Sequence, residues 1–164
     1  MIPDIKKILY TTDLSKYAVH AFGYAASMAN RYDAKITILH VLEPISASAN
    51  AQLASMMGPE RWKELQERNE NEARTAISGR LEQFCIEMSA EMTQCPFIVD
   101  SIVVENGEPV EKILQQAEKI HADIVIMGTH GQGILADVML GSTARRVLRR
   151  CKRPVMVIRL PERE

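Results

Sequence analysis

Four times along this chain a short apolar run, mostly β-branched, gives way to residues recurring at helical spacing, and that change of period, closed by a fifth apolar run, dictates an α/β fold. Lys7 to Thr12, with Ile8-Leu9-Tyr10-Thr11-Thr12 at its heart, reads as a first strand, and Ala18, Ala21, Phe22, Ala25 and Ala29 follow on one helical face. Ala34 to Leu42 reads as the second strand. Glu43 to Gly58, with its Pro, Ser, Asn and Met-Met, is expected to be a long irregular, flexible connection of the kind that forms a lid. From Pro59 a long amphipathic helix is expected, with Leu65, Ala73, Ala76, Ile77, Leu81, Phe84 and Met88 recurring every three or four residues and Gly79 as its weak point. Phe97 to Val104 is a third strand, Gly107-Glu108-Pro109 opens a helix facing inward through Val110, Ile113, Leu114 and Ala117, and Asp123 to Met127 is a fourth strand. A helix from Ser142 to about Arg150 and a strand from Pro154 to Ile158 complete the order βαβαβαβαβ. Each parallel connection needs a crossover, so the sheet is expected to be parallel with helices on both faces. No internal repeat or linker divides it, which predicts one doubly wound domain over residues 1–164.

Length and charge narrow the function classes. A chain of 164 residues buries roughly two-thirds of its unfolded surface, enough for a core without disulfide or metal staples. Twenty Lys+Arg against twenty-one Asp+Glu leave a formal net charge of -1, which offers no global field for nucleic acid or an anionic membrane. Cys85, Cys95 and Cys151 are odd in number and unclustered, so neither a disulfide framework nor a zinc site is indicated. The first residues lack a signal-peptide pattern and no apolar run approaches the roughly 20 residues of a membrane span. The expected location is the cytoplasm.

Chemistry concentrates where the fourth strand ends. Gly128-Thr129-His130-Gly131 follows Met127 directly, and Gly141-Ser142-Thr143 opens the last helix. Glycines let backbone N–H groups close on phosphate oxygens, and a helix start adds free amides and a positive dipole end. The same glycines would serve a wide turn, so both readings stand on spacing alone. Gly131-Gln132-Gly133-Ile134-Leu135-Ala136 imitates a dinucleotide fingerprint, but no acidic residue follows at the required distance, and a P-loop is excluded by its missing Lys.

Asp13, just past the first strand, suits a helix cap, or hydrogen bonds to a ribose or base, or a hold on Mg²⁺ through water. Its position favours a ligand role over the cap, because the ends of strands one and four would flank the switch point of such a sheet. Val41, at the end of strand two, has a backbone that could read an adenine edge. Ser142 and Thr143 suit capping and phosphate binding at once. His130 is an exposed loop histidine, a phosphate contact or an aid to proton transfer; His20, His40 and His121 have no metal-ligand spacing and receive no role. The run Arg145, Arg146, Arg149, Arg150, Lys152 and Arg153 suits a solvated helix face better than a ligand site. No carboxylate pair, Ser/His/Asp group or Cys/His pair has catalytic spacing.

At these residues the chain resembles the ATP-binding branch of the universal stress protein family. That branch is marked by G-x2-G-x9-G-[ST], which Gly128, Gly131, Gly141 and Ser142 match at every fixed position. Ile8 to Ser15, His40-Val41, Gly107-Glu108-Pro109 and Arg153 to Ile158 are similar to further family segments. The resemblance implies a Rossmann-like, adenine nucleotide alpha hydrolase-like sheet of order 3-2-1-4-5. It also implies ATP (or AMP/ADP) held between Thr11, Thr12, Asp13 and Val41 on one side and Met127, Gly128, Thr129, His130, Gly131, Gly141, Ser142 and Thr143 on the other. Mg²⁺ on the phosphates and a homodimer through the last strand follow in the same way. The expected function is a nucleotide-dependent switch or adaptor in the stress response, acting through protein partners that the sequence does not name. Slow Mg-dependent ATP hydrolysis or autophosphorylation, and a nucleotide-free dimeric interaction protein, are the alternatives.

Overall fold

A computed structural model describes residues 2–15, 17–129 and 140–159. The expected sites His130 and Gly131, and the fingerprint-like stretch 131–136, lie outside the described residues. The elements run β1 (Lys7–Thr11), α1 (Ala18–Tyr32), β2 (Lys35–Leu42), α2 (Ala47–Met57), α3 (Pro59–Glu91), β3 (Ile98–Asn106), α4 (Pro109–Lys119), β4 (Ile124–Gly128), α5 (Ser142–Arg150) and β5 (Val155–Ile158). The five strands form one sheet in the order β3-β2-β1-β4-β5, and every neighbouring pair is parallel. Strand limits differ from the sequence expectation by a residue or two; β4 extends through Gly128, and β1 stops at Thr11.

The period-two alternation of a strand divides the core into two layers. Ile8, Tyr10, Ile36, Ile38, Ile124 and Ile126 face Phe22, Ala25, Ala26, Leu81 and Met88 of α1 and α3. Leu9, Leu39, Val125 and Met127 face Val110, Ile113, Ala144 and Val147 of α4 and α5. Burial of both faces explains why these strands are continuous apolar runs instead of alternating ones. Small residues on α1, notably Ala21, Ala25 and Ala29, keep that helix close to the sheet. Phe22 is the hub of the layer, with edge-on ring contacts to Tyr10, Phe84 and Phe97 at centroid distances of 5.3, 5.1 and 5.1 Å.

The expected irregular connection over 43–58 is overturned between Ala47 and Met57, which form α2. Ser46 supplies the start signal, its Oγ accepting a hydrogen bond from the Ala49 N–H at 3.2 Å. The Ala, Gln, Leu and Met residues that follow are good helix formers, so propensity outweighs the polar, loop-like composition. No side chain of α2 is buried. Its fixed neighbour is α3, where Trp62 donates its indole N–H to the Asn50 side-chain oxygen. Gly58, at φ +88°, ends α2 and precedes Pro59 at the first turn of α3.

Helix α3 has 33 residues, which at a rise of about 1.5 Å each is roughly 50 Å. Only Leu81 and Met88 are wholly buried in it. Gly79 does not interrupt the helix. A Cβ there would meet nothing within 4 Å, so the position carries the backbone entropy of glycine without a packing reason. No helix among the described residues is long and apolar enough to cross a membrane.

Two stability predictions follow from this packing. Phe22, 0% exposed, is expected to lose about 3–5 kcal/mol as Phe22→Ala, read as a lowered urea midpoint. Gly79→Ala is expected to gain about 0.5–1 kcal/mol and raise the thermal midpoint.

Candidate functional site

The carboxyl ends of β1, β2 and β4 and the amino end of α5 open onto one cavity of about 710 Å³. Thr11, Thr12 and Asp13 from β1 and its turn, Val41 from β2, and Met127, Gly128 and Thr129 from β4 all line it. Gly141, Ser142 and Thr143 close it on the α5 side. Residues as far apart in the chain as Thr11 and Thr143 therefore share one crevice, where an open α/β sheet places ligands.

The turn after β1 is held by its own side chains. Thr12 Oγ1 accepts from the Leu14 N–H at 3.1 Å and Asp13 Oδ1 from the Ser15 N–H at 3.0 Å. Leu14 sits at φ +60°, a left-handed conformation that a branched residue adopts only under such constraint. His40, to which sequence spacing assigned nothing, lies in the cavity wall and fixes the same turn. Its Nδ1 is 2.8 Å from the Thr12 carbonyl oxygen, and since a carbonyl only accepts, Nδ1 carries the proton. The available signal was adjacency: His40 precedes Val41 at the end of a strand pointing into the crevice. Below this turn Tyr10 donates its hydroxyl to the Ala18 carbonyl at 2.8 Å, and burial pushes its phenol above the ordinary range, with the nearby Asp13 charge acting in the same direction.

β1 ends early enough to leave part of β2 uncovered. Its register with β2 stops at Thr11↔Leu39, and the Thr12 N–H makes one further bond to the Leu39 carbonyl at 3.0 Å. Backbone polar groups alternate between the two edges of a strand, so Val41 shares the edge of Leu39. Its N–H and C=O point past the end of β1 toward the cavity, offering a donor and an acceptor independent of the side chain.

Across the crevice, the Gly141 N–H donates to the Thr129 carbonyl at 2.7 Å, and the Thr129 N–H donates to Ile158 at 2.9 Å. These bonds join the two ends of the glycine segment to β5. Gly141 is the N-cap of α5 with no side-chain cap, and its own amide is already engaged. The donors that α5 offers the cavity are therefore its first-turn amides from Ser142 onward, which have no carbonyl of the helix to bond to. With the positive dipole end they form an anion seat. Asp13 and Glu43 put carboxylates at the β1/β2 side of the same cavity, so its two sides differ in polarity. Among the described residues no cluster of three His, Cys, Asp or Glu side chains is placed to hold a metal ion.

A model of the universal stress protein family matches residues 4–159. Universal stress protein MJ0577 of Methanocaldococcus jannaschii is 29% identical over 154 residues, covering 94% of each chain. A solved MJ0577 structure superposes with a TM-score of 0.71 at 26% identity, over 98% of this chain and 100% of that one. UspA from Lactobacillus plantarum gives 0.69 at 25% identity, over 96% and 100%. A universal stress protein in complex with cAMP, 20% identical with a TM-score of 0.57 over 96% and 98%, shares the fold.

The His40 bond is expected to be measurable on its own. His40→Leu leaves the Thr12 carbonyl without this donor and should cost about 1 kcal/mol with faster amide exchange at Leu14 and Ser15. His40→Asn, whose side-chain N–H₂ can reach the same carbonyl, should recover most of both.

Proposed function

Because the chain belongs to the universal stress protein family, we propose that it binds ATP in this cavity and acts as a nucleotide-dependent switch or adaptor in the stress response. The observation that carries the reading is the pairing of an open strand edge at Val41 with a helix amino terminus at Ser142 across a single crevice. An adenine edge needs a donor and an acceptor side by side, and a phosphate chain needs amides without partners; each wall supplies one of these. Thr11, Thr12 and Asp13 take the adenosine side in this proposal. Met127, Gly128, Thr129, Gly141, Ser142 and Thr143 take the ribose and phosphates, joined by His130 and Gly131 of the glycine motif. ADP and AMP fit the same assignment with fewer phosphate contacts. Mg²⁺ is held mainly by phosphate oxygens and water, as a hard cation with few protein ligands requires.

A homodimer through β5 belongs to the same proposal. β5 is an edge of the sheet, and its Val155, Met156 and Val157 are half-buried. Pro154 and Ile158 direct their carbonyls to β4, so Val155 and Val157 direct their backbone groups to the free edge, which a second copy of the strand would pair.

Calorimetric titration with ATP, ADP, AMP and cyclic AMP, with and without Mg²⁺, tests the site. Gly141 has φ −62° and ψ 158°, a conformation open to any residue, so Gly141→Val should fold and yet lose ATP binding by at least about ten-fold as its branched side chain enters the anion seat. Wild-type affinity in the folded variant would refute the assignment. For the dimer, Val157→Pro removes an outward N–H while keeping the β4 ladder; sedimentation should then report a monomer.

A further inference from the structure

The basic run that begins in α5 is divided in space, three of its members pairing with α4 and one lining the cavity. Arg146 Nη1 lies 2.9 Å from Glu108, Arg150 Nη1 2.6 Å from Glu111, and Arg153 Nη2 3.5 Å from Glu118, so these three cations are committed to α4. Arg145 is not among them. It lies at the cavity, and among the described residues it is the one Lys or Arg that lines it. No carboxylate is paired with it among the described residues, although Asp13 and Glu43 line the same cavity.

Helix geometry explains the difference. Side chains lean toward the amino end of a helix, so Arg145 extends over the turn begun by Ser142, while Arg146 is rotated by about 100° onto the α4 side. A guanidinium presents several donors in a planar fork and stays charged at any physiological pH. Placed beside amides that accept one phosphate, it adds a contact for the next. The amides and dipole serve a single phosphate whatever the chain length; the added fixed charge rewards each further negative charge.

We propose that Arg145 is the specificity-determining residue that selects nucleotides bearing a polyphosphate chain over nucleoside monophosphates. The proposal rests on the ATP assignment for the identity of the base, but its electrostatic content needs only an anion of several phosphates. The residue acts by direct contact with the distal phosphates, and the cavity's carboxylates at the opposite wall orient the uncharged end of the ligand away from it.

The test measures dissociation constants for ATP, AMP and inorganic tripolyphosphate on the full chain, as wild type, Arg145→Gln, Arg145→Lys and Arg149→Gln. Arg149 lies one turn further along α5, exposed, so its variant makes the same change in net charge. Expected is a wild-type preference for ATP over AMP that shrinks roughly ten-fold or more in Arg145→Gln, is partly restored in Arg145→Lys, and is unchanged in Arg149→Gln. Tripolyphosphate affinity should fall in parallel, with unchanged circular dichroism and melting. An unaltered ATP/AMP ratio in Arg145→Gln, or an equal loss in Arg149→Gln, overturns the proposal while leaving ATP binding in place. An Arg145-dependent preference for ATP over AMP in a protein that binds ATP no more tightly than tripolyphosphate supports the proposal and removes the assignment of an adenine site. Wild-type protein that binds neither ATP nor tripolyphosphate defeats both.

Discussion

β1 lies buried between β2 and β4, and the chain leaves its carboxyl end toward one face of the sheet while it leaves β4 toward the other. The reversal follows from right-handed crossovers: moving outward from β1 through β2 to β3 puts α1 and α3 on one face, and returning to β4 puts α4 and α5 on the opposite one. Two neighbouring strands whose exits diverge cannot have their carboxyl ends covered by the same connection. The crevice between Asp13 and Gly128 is thus a product of strand order, and the cavity needs no specialised scaffold beyond it.

Rigidity of the crevice is inherited from the two layers beneath it. The aromatic contacts around Phe22 and the tight alanine face of α1 anchor Tyr10, whose hydroxyl ties β1 to the start of α1 at Ala18. His40 ties β2 to the turn that carries Asp13. On the other face, Glu108 and Glu111 bind the arginines of α5 at exposed positions, where each pair contributes modestly. Their larger effect is directional, because they draw Arg146 and Arg150 to α4, and Arg145 is the one Lys or Arg among the described residues that lines the cavity. A crevice built this way has a β1/β2 side fixed by part-buried bonds and an α5 side at which, among the described residues, Arg145 is the lining cation.

Much of this was legible from local pattern. The strands and the helices packed on them show in the sequence because burial on one or both faces imposes a period, and Gly141-Ser142 announces a helix start through its chemistry. One failure fell where burial imposes nothing, and another on α3, where Ala76 shares the inner period yet is exposed. α2 has no buried side chain, so no apolar period marked it, and its signals were a serine cap and a composition shared with loops. His40 went unassigned for a related reason: its role is a bond to Thr12, 28 residues away in sequence, and no spacing rule connects them. Arg145 and Arg146 are adjacent and identical in type, so no one-dimensional reading could separate the cavity residue from the paired one.

The sequence alone determined the element order, the parallel sheet it requires, and the glycine-and-hydroxyl chemistry at the end of β4, because each depends on periodicity or on residues close together in the chain. Tertiary structure alone decided which backbone edges stay open, which arginine meets the cavity, and that the Gly141 amide is engaged by Thr129 while Ser142 and Thr143 line the crevice. These depend on where strands stop and how helices are rotated, which are set by packing between residues far apart in sequence.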